Sequence, residues 1–373
     1  MSGSLFIGLM SGTSLDGVDA VLARFDAGGL PAQLARASIP FPDDLTREML
    51  ALNSVGNNEL ARSALAANAL ARLYAAAVDQ LLNLAGIQAS EVLAIGAHGQ
   101  TVRHSPAEGY TIQLNSPALL AELTGISVVA DFRSRDVAAG GQGAPLVPVF
   151  HAGVFAAGHP RVVLNLGGIA NITILRPGAE PLGFDTGPAN VLMDMWCHMR
   201  TGHPFDADGA WGASGVVHAR LLRHFLDAEP WFSLPAPKST GRDLFHWSWL
   251  ESRLTSVCAE LNLASQPRAE DIQATLRALT AHCATDAIRN YAPDARDVLV
   301  CGGGARNAAL MQDLQALLPC PVLATDHAGI SSQDVEALAF AWLAWAHRQG
   351  VAASKPAVTG ARGPRILGAC WPA

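Results

Sequence analysis

Runs of apolar residues alternate with polar turns along the N-terminal part of the chain. Three consecutive strands are predicted at residues 5–9, 18–25 and 33–39, with turns at 12–17 and 26–29. The pattern then alternates between helix and strand, with helices at 59–84 and 118–124 and strands at 92–97 and 127–130. This order predicts an antiparallel meander that is extended by parallel strands.

The second half of the chain repeats this plan. Strands are predicted at 161–166, 170–175 and 182–184, followed by helix and strand patterns at 271–291, 297–301, 307–317, 321–324 and 335–348. The glycine-rich segment 138–145 lies between the two patterns and predicts a domain boundary that could also be a hinge. We therefore expect two α/β lobes, 1–138 and 139–373, facing one another across a cleft, and the last residues could return to the first lobe.

The turn between the first two strands is dense in glycines and hydroxyl groups. Glycines let a backbone approach an anion closely, and Ser11, Thr13 and Ser14 add hydroxyl donors to a concave row of N–H groups. Asp16 or Asp19 could hold a divalent cation near the same phosphates, through water. The alternative interpretation is an ordinary glycine-rich hairpin capped by serine and aspartate.

Two further glycine segments also follow predicted strands. Gly167 and Gly168 form a second hairpin turn, and Gly302, Gly303 and Gly304 stand between a strand and a helix. Both favour close approach of a nucleotide, since ligands of α/β sheets gather at the carboxyl ends of strands. A dinucleotide fingerprint competes for the second segment, but Asn307 occupies the place of its last glycine.

Asp185 follows an apolar strand and precedes a Gly-Pro turn, which would fix its carboxylate. An ionised aspartate is already basic at neutral pH, so this position suits a general base. The alternative is a capping aspartate for a helix that starts near residue 189.

Four polar residues beside predicted strands and Glu336 are further candidates for ligand contacts. His98, with Gln100 and Thr101, could bind a sugar oxygen, although a structural histidine fits the pattern equally well. Arg133 could bind a substrate carboxylate, or could pair with the nearby Asp131 and Asp136. Glu336 either faces a cleft or favours a helix N-terminus.

Composition excludes several classes of protein. Only 15% of the 373 residues are charged, the net charge is −7 and no basic stripe is visible, so we expect no nucleic-acid partner. No signal peptide and no apolar run long enough to span a bilayer is found, so we expect no membrane partner and a cytoplasmic location. Neither lysine, Lys238 or Lys355, completes a P-loop, and zinc-protease and serine-hydrolase motifs are missing. The six cysteines show no metal-like spacing, so we expect reduced, mostly buried thiols.

The duplicated meanders resemble the sugar kinase, Hsp70 and actin superfamily, an actin-like ATPase fold that is also described as ribonuclease H-like. A narrower resemblance, to the anhydro-N-acetylmuramic acid kinase family, spans nearly the whole chain. It is carried by residues 10–19 (MSGTSLDGVD), 98–101 (HGQT), 130–133 (ADFR), 140–146 (GGQGAPL), 183–188 (GFDTGP) and 237–242 (PKSTGR).

This resemblance implies an ATP-dependent enzyme of peptidoglycan recycling, with Mg²⁺ as cofactor. It would open the 1,6-anhydro ring of an anhydro amino sugar with water and phosphorylate O6, giving N-acetylmuramic acid 6-phosphate and ADP. The resemblance makes Asp185 the catalytic base and His98, Gln100, Thr101, Arg133 and Glu336 sugar contacts. It assigns nucleotide binding to Gly12, Thr13, Ser14, Leu15, Asp16, Gly17, Val18, Asp19, Gly167, Gly168, Gly302, Gly303 and Gly304. A homodimer is a further expectation from the resemblance.

Two other functions stay open at this point. A kinase of the same superfamily acting on another sugar or a carboxylic acid would keep the nucleotide segments. A nucleotide-binding regulator would bind ATP without releasing ADP in response to an acceptor.

Overall fold

Strands and helices alternate in the order that the hydrophobic pattern predicts. The computed structural model describes residues 3–12, 15–241, 244–260 and 267–373. The first part contains β1 (Ser4–Met10), β2 (Gly17–Phe25), β3 (Pro31–Pro40), α1 (Asp43–Ala51), α2 (Glu59–Ala85), β4 (Val92–Ala97), β5 (Gln100–Ser105), β6 (Tyr110–Leu114), α3 (Pro117–Thr124), β7 (Val128–Ala130), α4 (Ser134–Ala138) and α5 (Pro148–Phe155).

The second part begins with another set of three strands. It contains β8 (Arg161–Leu166), β9 (Ile169–Leu175), β10 (Leu182–Pro188), α6 (Asn190–Thr201), α7 (Ala210–Ala213), α8 (Ala219–Asp227), α9 (Trp247–Glu260), α10 (Ala269–Tyr291), β11 (Asp297–Cys301), α11 (Ala308–Leu317) and β12 (Val322–Ala324). The chain ends with α12 (Val335–Gln349), α13 (Pro356–Thr359) and β13 (Ala369–Trp371).

Two mixed sheets share one topology. The first has the strand order β13-β7-β4-β1-β2-β3 and the second β10-β9-β8-β11-β12. In each, three consecutive strands form an antiparallel meander, and the first of them pairs in parallel with the strand that follows the meander. The duplicated meander with parallel additions is thereby confirmed, and it is the architecture of the actin-like ATPase fold.

β1 is buried on both faces of the first sheet, which explains its unbroken apolar run. Leu5, Ile7 and Leu9 pack in one hydrophobic cluster with the buried side of α2. On the opposite face, α12 approaches so closely that a Cβ at Gly8 would overlap the backbone carbonyl of Ala337. A strand that is covered on both faces has no polar alternation.

Contacts divide the chain into two compact units at a place other than the predicted one. One unit contains the residues up to Phe155 together with Asp334–Ala373, and the other contains Ala156–Gln333. The change of unit therefore follows α5 and not residue 138, and the C-terminal residues from Asp334 belong to the first unit. The glycine-rich segment lies inside that unit, where Gln142 N–H donates to the Thr359 carbonyl (2.8 Å) and Gly143 N–H to Asp136 (2.8 Å).

The hairpin of β5 and β6 is absent from the predicted elements. Its strands are rich in polar residues, so their apolar alternation is weak. Polar cross-strand pairs hold it, among them His104 Nδ1 with Thr111 Oγ1 (2.9 Å) and Gln113 Nε2 donating to Thr101 Oγ1 (3.2 Å). This hairpin carries two of the predicted sugar contacts, Gln100 and Thr101.

Candidate functional site

β1 and β2 form the antiparallel hairpin that the sequence predicts, with Met10 opposite Asp19. Leu15 N–H donates to the Gly12 carbonyl at 3.3 Å, and Leu15 has a positive φ of 58°. The side chain of Leu15 is buried in the first unit's core, so Leu15 can offer a ligand only its backbone. Thr13 and Ser14 lie outside the described residues.

Ser11 does not provide the free hydroxyl donor that the sequence suggested. Its Oγ donates to the Gly99 carbonyl (2.9 Å), and its oxygen lies 3.1 Å from the Tyr74 hydroxyl, which accepts from Gly99 N–H (3.1 Å). Because the single Ser11 proton goes to Gly99, Tyr74 is the donor in their shared bond. The buried network fixes the end of β1 and the start of the hairpin.

Of the other described residues of the hairpin, Gly17 and Val18 serve packing, whereas Asp16 and Asp19 carry polar groups. Gly17 and Val18 begin β2, where a Cβ at Gly17 would overlap the carbonyl of Ile39, so this glycine serves strand pairing. Asp16 is exposed, and Asp19 lies partly buried in β2. Burial raises the pKa of Asp19, opposed by a hydrogen bond from Ser38. These two carboxylates are the hairpin's candidate cation ligands.

His98 and Arg133 form one hydrogen-bonded unit. Arg133 donates from Nε (3.2 Å) and Nη2 (2.9 Å) to Nε2 of His98, and from Nη1 to the Gly143 carbonyl (2.7 Å). Nδ1 of His98 therefore carries the ring proton and donates to the Ser11 carbonyl at 3.3 Å. Burial, and then the Arg133 charge, lower the pKa of His98 to about 3, so the ring is neutral.

This arrangement changes the role predicted for His98. Both ring nitrogens bond to protein groups, which makes His98 a partner of Arg133 and of the hairpin. The Asp136 carboxylate that was a candidate partner for Arg133 accepts instead from Gly143 N–H (2.8 Å) and Thr359 Oγ1 (2.7 Å), and also bonds to Ser354. The guanidinium of Arg133 is thus oriented by His98 and by a backbone carbonyl.

The other predicted sugar contacts lie on two elements of the first unit. Gln100 and Thr101 begin β5, and Glu336 lies on α12. The Gln100 side chain is buried, and its amide oxygen has no hydrogen-bond partner within the described part of the chain. A buried acceptor of this kind is expected to meet a ligand or water. Thr101 accepts from Gln113, and Glu336 lies in the first turn of α12, a placement that favours the helix N-terminus.

The second unit brings its two glycine segments side by side. β8 and β11 pair in parallel with Asn165 opposite Cys301, so the turns that follow them are neighbours. Added Cβ atoms at Gly302 and Gly304 would overlap Asn165 and Leu166, while one at Gly303 would come within 3.3 Å of Asn190. Gly302 has a φ of 82°, which favours glycine.

The hairpin turn at Gly167 and Gly168 also joins the start of α6. The Gly167 carbonyl accepts from Asn190 N–H at 3.0 Å, and the Gly168 carbonyl accepts from Ala189 (3.0 Å) and Val191 (3.1 Å). These bonds occupy N–H groups at the helix N-terminus. Gly303–Arg306 forms one 3-10 turn and α11 starts only at Ala308, so the triple glycine does not itself open the helix.

Asp185 lies within β10 and not after a strand, which corrects the predicted position. β10 continues to Pro188, with a bulge between Asp185 and Gly187 that leaves Thr186 without a paired residue on β9. Gly187 has a φ of 149° there. Bulges on edge strands redirect side chains and are frequent beside active sites. The Asp185 side chain is 7% exposed and accepts from Thr240 N–H at 2.9 Å.

Two residues near Asp185 were not singled out from the sequence. Thr240 belongs to the 237–242 segment, whose role the motif alone did not reveal. Asn171 is the register partner of Asp185 on β9, and its amide oxygen is buried without a hydrogen-bond partner among the residues described. Register partners on antiparallel strands project to the same face, so Asn171 and Asp185 share one surface. The Asn171 signal was its place at the end of the second glycine hairpin.

The predicted site residues therefore form two groups. The first unit joins the hairpin, His98 and Arg133, and the second joins both glycine segments with Asp185, to which the structure adds Asn171. Over the ranges that the structure covers, no group of three or more histidine, cysteine, aspartate or glutamate side chains could hold a metal ion. No described helix combines the length and apolarity required to cross a membrane. Cys197, Cys283, Cys301 and Cys320 are buried thiols, and Cys370 is exposed.

Comparison with known proteins gives one consistent result. The family model for anhydro-N-acetylmuramic acid kinase matches residues 4–373. A relative from Bordetella petrii with that name is 62% identical over 371 residues, covering 100% of this chain and 97% of the relative. Relatives of the same name from Variovorax paradoxus (54% identity, 100% of both chains) and Chromobacterium violaceum (52% identity, 99% of both chains) also match.

Proposed function

The chain belongs to the anhydro-N-acetylmuramic acid kinase family, and we propose on that basis how its residues divide the reaction between them. The activity is that of an ATP-using kinase acting on anhydro-N-acetylmuramic acid in peptidoglycan recycling. The proposal concerns the catalytic base, the nucleotide contacts, the sugar contacts and the metal.

Asp185 is the catalytic base of this proposal. Its carboxylate takes a proton from the water that attacks C1 of the sugar, while the bond between C1 and O6 breaks. The released O6 attacks the γ-phosphorus of ATP, and the bond from that phosphorus to the bridging oxygen breaks to free ADP. The observation that supports this role is that the buried Asp185 carboxylate lies on a bulged strand and accepts from Thr240 N–H at 2.9 Å.

The glycine turns are proposed as the ATP contacts. In the first unit these are residues Gly12 to Asp19, with Leu15 and Val18 contributing through their backbone because their side chains are core residues. In the second unit Gly167, Gly168 and Gly302 to Gly304 supply neighbouring turns without side chains that would exclude a phosphate or nucleoside. Backbone N–H groups in such turns stabilise phosphate charge without reorganising.

Mg²⁺ is proposed to accompany ATP beside the first hairpin. This cation binds proteins through one or two carboxylates and keeps several waters, so it needs no cluster of three side chains. The exposed Asp16 and the partly buried Asp19 fit that requirement. Burial raises the pKa of Asp19, and a nearby cation would oppose this effect by stabilising the ionised carboxylate. When bound, the metal would neutralise phosphate charge.

Arg133 and Gln100 are the best supported sugar contacts. The Arg133 guanidinium is held by His98 and Gly143, and its planar fork suits the carboxylate that distinguishes muramic acid from other amino sugars. The amide oxygen of Gln100, which has no hydrogen-bond partner among the described residues, can accept from a sugar hydroxyl or amide. Thr101 and Glu336 stay predictions, and His98 acts through Arg133.

The replacement Asp185→Asn tests the base directly. Asparagine keeps the shape and an acceptor for Thr240 N–H, but it is not basic. We expect sugar phosphorylation to fall at least about a thousandfold while the Kd for ATP, measured by calorimetry, changes less than about threefold. Asp227→Asn, on the exposed last residue of α8 in the same unit, is the matched control. Turnover near wild type in Asp185→Asn would remove Asp185 as the base.

Family membership also supports a homodimer and a cytoplasmic location as proposals. Light scattering of the purified protein tests the first, and fractionation of cells tests the second. A monomer at micromolar concentration, or recovery with membranes, would contradict them.

A further inference from the structure

The backbone of loop 236–241 bonds to both the backbone and the side chain of Asp185. Asp185 N–H donates to the Lys238 carbonyl at 3.1 Å, and Thr240 N–H donates to Oδ2 of Asp185 at 2.9 Å. The first bond fixes the strand backbone beside the bulge, and the second fixes the direction of the carboxylate. The place of Asp185 therefore depends on how firmly this loop is held.

Lys238 holds the loop from inside. Its ammonium donates to the carbonyls of Phe232 (2.8 Å) and Trp231 (3.2 Å) and lies 4.3 Å from the centroid of the Trp231 ring. Trp231 Nε1 in turn donates to the Ser239 carbonyl at 3.1 Å. The loop and the turn Pro230–Ser233 are thus joined in both directions.

The other end of the loop is held as well. Ala236 N–H donates to the Tyr291 hydroxyl at the end of α10, at 3.0 Å. Burial lowers the pKa of Lys238, an effect opposed by the negative charge of the Asp185 carboxylate. Two of the three ammonium donors of Lys238 are directed to backbone carbonyls of its own unit, an arrangement unlike that of a lysine that reaches for a phosphate.

We propose that Lys238 is a positioning residue for the catalytic base. It anchors loop 236–241 to the Pro230–Ser233 turn, and the loop holds the Asp185 carboxylate through Thr240 N–H. The proposal rests on the proposed function, in which Asp185 is the base. It gives one of the chain's two lysines a role in orienting the carboxylate and not in binding ATP or sugar.

The test is Lys238→Met, which keeps an apolar stem over Trp231 and removes the charge and the donors. We expect kcat to fall roughly tenfold to a hundredfold, the loss typical of a displacement of about 1 Å, with both KM values within about twofold. The acidic limb of the pH profile of kcat/KM should move to higher pH, because ionised Asp185 loses both the nearby ammonium charge and a firmly held Thr240 N–H donor.

Two companion variants make the result specific. Lys238→Arg can again donate to both carbonyls and stack on the indole, so it should restore kcat to within roughly fivefold of wild type. Trp231→Phe keeps an aromatic ring near the Lys238 ammonium and both backbone carbonyls, but it replaces the indole with a smaller ring that has no N–H for Ser239, so a smaller fall in kcat alone is expected. Trp231→Phe therefore tests the role of the loop independently if Lys238→Met does not fold. Lys355→Met, at the other lysine, is the control and should leave the kinetics unchanged.

The outcomes separate this inference from the proposed function. A tenfold rise in KM for ATP or sugar with unchanged kcat in Lys238→Met would make Lys238 a ligand contact and overturn the inference. Wild-type kinetics in both Lys238→Met and Trp231→Phe, with Asp185→Asn inactive, would overturn it and leave the proposed function intact. Turnover near wild type in Asp185→Asn would overturn both.

Discussion

His98 bonds to the Ser11 carbonyl through Nδ1 and to Arg133 through Nε2, and replacement by asparagine or by glutamine should remove one of these bonds at a time. In His98→Asn the amide nitrogen can take the place of Nδ1 and donate to the Ser11 carbonyl, but nothing replaces Nε2 as the acceptor for Arg133. In His98→Gln the longer side chain can place its oxygen near Nε2 and accept from Arg133, while the Ser11 carbonyl loses its donor.

The size of the change in KM or in stability follows from the hydrogen bond that each replacement removes. A hydrogen bond to a charged group contributes about 1.5–3 kcal/mol, and each 1.4 kcal/mol is about a factor of ten in affinity. His98→Asn should therefore raise KM for the sugar roughly tenfold to a hundredfold as Arg133 loses its orientation, with little change in KM for ATP. His98→Gln should spare KM for the sugar, raise KM for ATP severalfold through Ser11 and the hairpin, and cost about 1–3 kcal/mol of stability for the unsatisfied buried carbonyl.

The assay is coupled ADP release with either substrate varied, together with urea unfolding of each variant. His151→Asn is the matched control, because His151 is also buried with a pKa lowered to about 3 by burial, yet it lies outside the proposed site. It should lower stability without changing either KM. An unchanged KM for the sugar in His98→Asn, or the same pattern in both His98 variants, would refute the assignment of His98 as the partner of Arg133.

Three further predictions follow from single features. Gly12→Val should weaken ATP binding by roughly tenfold in calorimetry through crowding of the phosphates, and unchanged affinity would count against the hairpin as an ATP contact. Asp297→Asn should cost about 1–2 kcal/mol in urea unfolding at pH 7 and progressively less as the pH falls below 3.8, since Arg161 lowers the pKa of Asp297 below that ordinary value and the stabilisation is lost as pH falls through the lowered pKa. The pKa values of His98 and His151, about 3 against an ordinary 6.5, predict that stability falls as pH falls from about 6.5 towards 3, and a flat stability across that range would contradict their burial as neutral rings.

Local pattern was sufficient for most of the fold. The apolar run of β1, the alternation of β2 and the turn between them predicted the first hairpin, and the same signals predicted β8 and β9. These elements are determined by neighbouring residues and by burial on one or both faces, which a sequence displays directly. The polar hairpin of β5 and β6 was missed because its pairs depend on side-chain hydrogen bonds between strands.

The geometry of the site could not be predicted from local pattern, because it depends on partners far along the chain. Asp185 with the following Thr-Gly-Pro resembles a turn, yet Lys238 and Thr240, the latter 55 positions away, hold it within a bulged strand. Ser11 resembled a phosphate donor, yet Tyr74, 63 positions away, bonds to its hydroxyl. The motif residues could be predicted as a set from the sequence, whereas the bonds that orient them come from tertiary contacts that local patterns do not contain.

In the proposed reaction, ring opening by water is coupled to phosphorylation of O6. This coupling is tested most directly by incubating the protein with ATP and anhydro-N-acetylmuramic acid in water enriched in heavy oxygen, and by mass spectrometry of the product. The unlabelled sugar phosphate, incubated alone in the same water, corrects for exchange at C1. We expect one heavy oxygen at C1, none at O6, and one ADP for each sugar phosphate. Label at O6, or ADP release that does not depend on the sugar, would contradict this coupling.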